Sequence, residues 1–231
     1  MAILGSRGIP NQYGGFEQFA EKLSVGLAAA GVQVWVYCSH TNPCKDAIWK
    51  GVQRIRCFDP EPWLGQAGQF IYDLNCILDA RRRNFDIIYQ LGYTSNAVWH
   101  GLLPKHPKVV TNMDGLEWQR SKYSKPVQSF LKKAEHWAVR SSHLLVADSP
   151  AIRDYIAAKY NKLPEYIPYG ADIPTLPDKA LHAQHGLSAG EYYLVIARLQ
   201  PDNNTDMIIR GFLEAGTEHP LAWLSAFRVF R

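Results

Sequence analysis

Two stretches of the chain hold residues whose types and spacing suit chemistry. The first is "GSRGIPNQYGGFEQF", residues 5–19, with four glycines just after the apolar stub "MAILG". From Phe16 onward, Phe16, Phe19, Ala20, Leu23 and Leu27 recur at helical spacing. The glycines therefore fall in a strand-to-helix loop. A helix N-terminus offers backbone N–H groups to an anion, and glycine lets the backbone approach a ligand closely. The same residues also suit a loop that only turns a tight corner. The second stretch runs from Arg120 to Arg140. It sets six Lys/Arg (Arg120, Lys122, Lys125, Lys132, Lys133, Arg140) against one acid, Glu135, in a chain of net charge +4.

On a helical projection Lys125, Lys132, Lys133, His136 and Arg140 gather within roughly a quarter-turn. Val127, Phe130, Leu131, Ala134, Trp137 and Ala138 fall opposite, as for packing on a sheet. Such a face is either simply solvated or attracted to anionic lipid headgroups, at about 1 kcal/mol per basic residue. No aromatic platform is interleaved with the charges, so nucleic acid is not an expected partner.

Other chemistries find no support. The eight histidines show no HxxxH spacing, there is no Asp-x-Asp, and Cys38, Cys44, Cys57 and Cys76 form no CxxC. No metal is expected, and the cysteines read as reduced thiols of a cytoplasmic protein. No apolar run approaches the roughly 20 residues that span a bilayer, and no signal peptide is expected. A dinucleotide oxidoreductase is disfavoured. The glycines do not fit GxGxxG, and "VYCSH" lacks the acid that would hold a ribose.

The elements that must position these residues alternate. Strands are expected at 2–6, 32–38, 52–58, 86–91, 108–112, 143–148 and 192–199. Helices are expected at about 16–30, 68–83, 126–141, 150–160 and 205–215. Runs such as "VQVWVYC" and "HLLVADS" suit strands buried on both faces. The pattern predicts an α/β fold, a Rossmann-like parallel sheet with helices on both faces, whose ligands bind at the carboxyl ends of the strands. Residues 1–172 read as one domain and 173–188 as a Pro/Gly-rich linker. Residues 189–231 read as the incomplete start of a second Rossmann-like domain, whose apolar strand lacks a sheet of its own and should open easily.

Four ordered motifs, "GSRGIPNQYGGFEQF", "NMDGLEWQRSKY", "IPYGAD" and "ARLQPDNN", together resemble bacterial glycosyltransferases of family 4, with the GT-B fold. The nearest branch holds the polysaccharide rhamnosyltransferases of capsule and lipopolysaccharide synthesis. The likeness runs from residue 1 to about Pro220. It implies an N-terminal domain for the acceptor and a C-terminal one for a nucleotide-sugar donor, with no metal or other cofactor. By the same resemblance Gly14 and Gly15 approach the donor diphosphate, and Arg7 and Tyr13 contact acceptor or phosphate. Asp114 takes the place of the catalytic cleft residue that accepts or orients the attacking hydroxyl; on its own, Asp114-Gly115 is also a good turn. Glu117 and Arg120 are implied to bind acceptor hydroxyls, and Arg198 to meet the leaving diphosphate.

The sequence also departs from the family. Asn203 stands where many relatives have a lysine that shares the diphosphate with the arginine. "AWLSAFRVFR" does not read as the expected next strand, and the acidic donor-binding residues of the second domain do not follow. The resemblance therefore implies an enzyme family whose chain, in this short form, does not transfer sugar by itself. The alternative is a non-catalytic remnant that keeps acceptor or membrane binding. A lipid-linked acceptor would bring Lys125, Lys132, Lys133 and Arg140 to the inner face of the cell membrane, as a peripheral protein.

Overall fold

In the computed structural model, the described residues are 1–12, 14–173, 185–197, 199 and 203–224. The chain divides into two units, one of Met1–Gln119 with Lys125–Tyr169 and one of Arg120–Ser124 with Gly170–Arg231. Most of the expected linker, residues 174–184, lies outside the described residues.

The first unit is built on eight strands: β1 (Ala2–Leu4), β2 (Trp35–Ser39), β3 (Ile48–Trp49), β4 (Val52–Cys57), β5 (Ile87–Leu91), β6 (Lys108–Asn112), β7 (Leu144–Ala147) and β8 (Glu165–Tyr166). Their order in the sheet is β3-β4-β2-β1-β5-β6-β7-β8. Every pairing is parallel except β3 with β4. The helices are α1 (Gly15–Ala29), α2 (Glu61–Leu64), α3 (Gly68–Ala80), α4 (Lys125–Ser141) and α5 (Pro150–Tyr160). This is the expected α/β parallel sheet, with its strands equal to the expected apolar runs or up to two residues shorter.

Alternation along each strand explains the helices on both faces. Ile3, Val36, Cys38 and Leu91 pack with Phe16, Phe19, Ala20 and Leu23 of α1. Ala2, Leu4, Tyr37 and Ile88 point the other way, against Tyr72, Cys76 and Ile77 of α3. Met113 and Leu145 continue that second face under Ala134 and Ala138 of α4 and Ile156 of α5. Fully burying side chains of this size contributes about 1.5–3 kcal/mol each.

Elements too short for a periodic signal escape the sequence reading. The β3–β4 hairpin turns at Lys50 and Gly51, both at positive φ (46° and 81°), the left-handed pair that a two-residue hairpin needs. α5 is capped by Ser149, whose hydroxyl accepts the Ile152 N–H at 3.3 Å.

In the second unit β9 (Tyr193–Ile196) pairs in parallel with β10 (Leu221–Leu224), and α6 (Thr205–Glu214) lies between them in sequence. This corrects the reading of the segment after Pro220. Leu221–Leu224 does form the next strand, so the apolar strand β9 has a partner. Its face remains open all the same, with Ile196 70% exposed.

Candidate functional site

The carboxyl ends of the parallel strands share one edge of the sheet. β1 and β5 are neighbours there, yet the chain leaves β1 toward β2 on one side and β5 toward β6 on the other. Such a reversal opens a crevice between the two departing loops, and the glycine loop enters it.

The conformational need for glycine falls on Gly5 and Gly8, earlier in the loop than Gly14 and Gly15. Gly5 has φ +89°, and a Cβ there would sit 2.4 Å from the Leu91 carbonyl oxygen of β5. Gly8 has φ +97°, and its Cβ would sit 2.4 Å from Cys38 Sγ. These two hold the loop flat on the sheet edge. Gly14 is the extended N-cap of α1 with no side-chain cap, and around Gly15 a Cβ would meet nothing within 4 Å. Open space at a helix N-terminus is what a ligand approach requires, and Gly15 has it.

Arg7 is already engaged. Its backbone N–H donates to Glu17 Oε1 at 2.8 Å. Its guanidinium forks onto Glu61, with Nε to Oε2 at 2.7 Å. Glu17 is buried in the first turn of α1, where the helix dipole favours a carboxylate. The Asn11 N–H donates in the same way to Glu21 Oε2 at 2.7 Å. The protein's own acids thus meet two of the loop amides. Beside them Asp73 of α3 is buried and accepts from Ser95 Oγ at 2.6 Å. Burial lifts the Asp73 carboxyl to about 7, against the opposing pull of the Ser95 hydrogen bond.

On the other side of the crevice Asp114 follows β6, half-buried. Asn112, two residues earlier, donates through Nδ2 to the Tyr169 hydroxyl at 3.1 Å. Tyr169 stacks edge-on against Phe19 at 5.3 Å. Burial, with the Asp114 charge adding to it, pushes the Tyr169 phenol up to about 12. Tyr93 donates to the Gly115 carbonyl at 3.1 Å and so pins the turn after Asp114. Asp148 follows β7 directly, and Asp114 follows β6 two residues on. Oδ1 of Asn112 and Oδ1 of Asp148 are buried without a hydrogen-bond partner, as are Gln90 Nε2 and Asn96 Oδ1 on the loop side of β5. Unsatisfied buried polar atoms of this kind are costly, at about 1–3 kcal/mol each. They belong to β5, the short 3-10 helix after it, β6 and the turn after β7.

A buried acid holds this loop from behind. Glu135 of α4, fully buried, accepts from Trp118 Nε1 (3.0 Å), Tyr155 (3.0 Å), Tyr160 (2.6 Å) and Lys159 Nζ (2.8 Å). Trp118 lies in the short 3-10 helix Glu117–Gln119, so Glu135 ties down the chain just past Asp114.

The structure thus brings Gly14, Gly15 and Arg7 to the β1 side of the edge. Asp114 and the buried Glu117 lie on the β6 side. Arg120 is exposed and falls in the second unit. Lys125, Lys132, Lys133 and Arg140 are all exposed on α4; Lys132 Nζ lies 4.5 Å from the centre of the Trp118 ring. Val127, expected on the packed side of α4, is instead exposed, because the first turn of α4 overhangs the core. Tyr13 and Arg198 lie outside the described residues. Asn112, Asp148, Tyr169, Asp73 and Glu135 escaped the sequence reading. For Asp148 a signal existed: "VADSP" puts an acid directly after a buried strand, as "TNMDG" nearly does. Among the described residues no group of three or more His, Cys, Asp or Glu is placed to hold a metal, and no helix is long and apolar enough to cross a membrane.

No curated protein matches the chain. Among solved structures it is similar to a sucrose-phosphate synthase of Thermosynechococcus elongatus. That likeness has 14% identity and a TM-score of 0.47, and covers 80% of this chain and 94% of that one. It is also similar to Arabidopsis thaliana UGT89C1 in complex with UDP-L-rhamnose, at 12% identity and TM-score 0.49, covering 90% of this chain. The quercetin complex of UGT89C1 gives 14% identity and TM-score 0.48 over 89% of this chain. The chain spans 61–65% of the length of these UGT89C1 structures. Such distant likenesses carry no residue role to this chain. A family model described as "Domain of unknown function (DUF1972)" matches residues 1–172, and the chain belongs to that family.

Proposed function

We propose that the chain is the acceptor-side part of a glycosyltransferase of the GT-B type. The whole enzyme moves a sugar, rhamnose first among the candidates, from a nucleotide-sugar to a lipid-linked bacterial surface polysaccharide. The observation that supports this best is the carboxyl edge of β5, β6 and β7. There Asp114 and Asp148 follow β6 and β7, and a Cβ at Gly15, at the start of α1, would meet open space.

In this reading an acceptor hydroxyl gives its proton to Asp114 as its oxygen bonds to the anomeric carbon of the donor. The bond from that carbon to the diphosphate breaks, and the electron pair leaves with the nucleotide. General-base assistance of this kind is worth about 10²–10⁴-fold. Alignment of hydroxyl and donor supplies more, roughly 7–11 kcal/mol of the barrier in favourable cases. Asn112, Asp148 and Glu117 hold hydroxyls of the acceptor, Gly14 and Gly15 give room to the donor diphosphate, and Arg198 takes the charge on the leaving diphosphate. The basic face of α4 brings the protein to the inner membrane surface, where a lipid-linked acceptor lies.

Tryptophan fluorescence tests the reading against a dinucleotide enzyme. Saturable quenching by UDP- or dTDP-linked sugars, with none by NAD, is the expected result. Quenching by NAD alone would overturn it.

A further inference from the structure

Beyond the crevice the same sheet edge bears an exposed aromatic surface that the reading above does not use. His40 follows β2, Phe58 follows β4 and Trp63 lies on α2. Their rings are within 29° of parallel, with centroids 5.2–6.2 Å apart. Phe58 is 54% and Trp63 68% exposed. A run of large apolar rings left in water needs an explanation.

These rings are held, not loose. The Asp59 N–H donates to His40 Nδ1 at 3.0 Å, which leaves Nε2 to carry the proton of the neutral ring. Buried Asp59 accepts the Glu61 N–H at 2.9 Å and so sets the turn into α2. Asn75 of α3 donates to the Phe58 carbonyl at 2.9 Å. Beneath α2, a Cβ on Gly68 would sit 2.4 Å from the Glu61 nitrogen, so only glycine lets α2 lie this close. The aromatic surface is pre-organised, which lowers the cost of binding.

The surrounding charge selects the partner. The charges beside the rings are balanced: Arg7 forks onto Glu61, Arg83 pairs with Asp79, and Arg56 donates to the His40 carbonyl. A balanced surround gives no net pull on anionic lipid or on nucleic acid phosphates. A pyranose ring fits instead. Its axial C–H groups meet the negative face of an aromatic ring, and its rim of hydroxyls donates to carboxylates. Glu61 stands at that rim, oriented by the Arg7 fork.

We infer that His40, Phe58 and Trp63 form a stacking platform for a sugar ring of the saccharide acceptor, separate from the reacting sugar at Asp114. This deepens the glycosyltransferase reading and rests on it for the word acceptor; the platform itself does not. The probes are a rhamnosyl disaccharide and methyl α-D-glucopyranoside, followed by saturation-transfer NMR on the whole chain. Saturation should concentrate on the C–H protons of one ring face. Trp63→Ala should weaken binding about fivefold, and Trp63→Phe should restore most of it. Melting curves of both variants should match the parent, since Trp63 is exposed. Equal saturation in the parent and Trp63→Ala would overturn the platform. So would loss, in that variant, of cosedimentation with phosphatidylglycerol vesicles while saccharide binding is kept. Nucleotide-sugar quenching, measured in parallel, separates the two claims. If it fails while the platform signal stands, only the transferase reading falls.

Discussion

At the residue scale, four positions have consequences that follow from burial and backbone conformation. Asp73 has its carboxyl lifted by burial from 3.8 to about 7. Below about pH 4 the acid is neutral in folded and unfolded chains alike, and costs nothing. As pH rises toward 7 the unfolded chain releases this proton first, so stability falls, then levels off above 7. The loss is on the order of 4 kcal/mol. Asp73→Asn should remove that slope, giving a higher melting temperature than the parent at pH 8 and a similar one near pH 4. Parallel pH profiles would show that Asp73 ionises freely. Glycines give a second, paired test. Gly8→Ala puts a Cβ at φ +97° against Cys38 and should destabilise by more than the roughly 1–2 kcal/mol of left-handed strain alone. Gly15→Ala meets nothing and should leave the melting temperature unchanged or slightly raised, yet weaken nucleotide-sugar quenching. Unchanged quenching would confine the glycine loop to a turning role. Glu135→Ala strips the acceptor from Trp118, Tyr155, Tyr160 and Lys159. Lys159 is partly exposed and can be resolvated, so the cost comes from the hydrogen-bond donors left unsatisfied, about 1–3 kcal/mol each where buried, to be read from the urea midpoint.

At the element scale, the α4 face is where charge and helix geometry can be tested together. Lys132, Lys133 and Arg140 are exposed, while Glu135 on the same helix is turned inward. Reversing all three to Glu should abolish cosedimentation with anionic vesicles, at about 1 kcal/mol per residue, and leave the fold intact. Binding that survives the reversal, or that resists salt, would remove α4 as the contact. This helix also shows what a sequence can and cannot tell. Its ends and its basic face were legible because amphipathic spacing is a local signal. The inward acid was not, because nothing in "KKAEHW" states that Trp118, Tyr155 and Lys159 converge on Glu135 from other elements. The long helices and parallel strands were legible for the same local reason. β3, β8 and β10 were not: each is four residues or fewer and is defined by its partner strand. "LAWL" carries no β-branched residue and becomes a strand only beside β9.

At the scale of the whole molecule, the topology explains why the candidate site was half legible. A strand-to-helix alternation places chemistry at the carboxyl edge, so Asp114 and the glycine loop were findable. Asn112, Asp148 and Tyr169 come from three different segments and meet only once β6, β7 and the chain after β8 lie side by side. The unpartnered oxygens of Asn112 and Asp148 became visible only in three dimensions. The second unit shows the converse. Its β-α-β pattern was partly legible, and Ile196, Leu213 and Leu224 keep 60–70% of their surface exposed. The account turns on transfer of a sugar with Asp114 as proton acceptor. The most direct measurement uses protein made from its complete gene, incubated with labelled nucleotide-sugars and membranes of the source organism, in the parent and in Asp114→Asn. Label should pass from one donor into the lipid-extractable fraction, and the variant should lose about 10²–10⁴-fold in turnover while nucleotide-sugar quenching is unchanged. Transfer by Asp114→Asn at the parent's rate, or no transfer from any donor, would contradict the account.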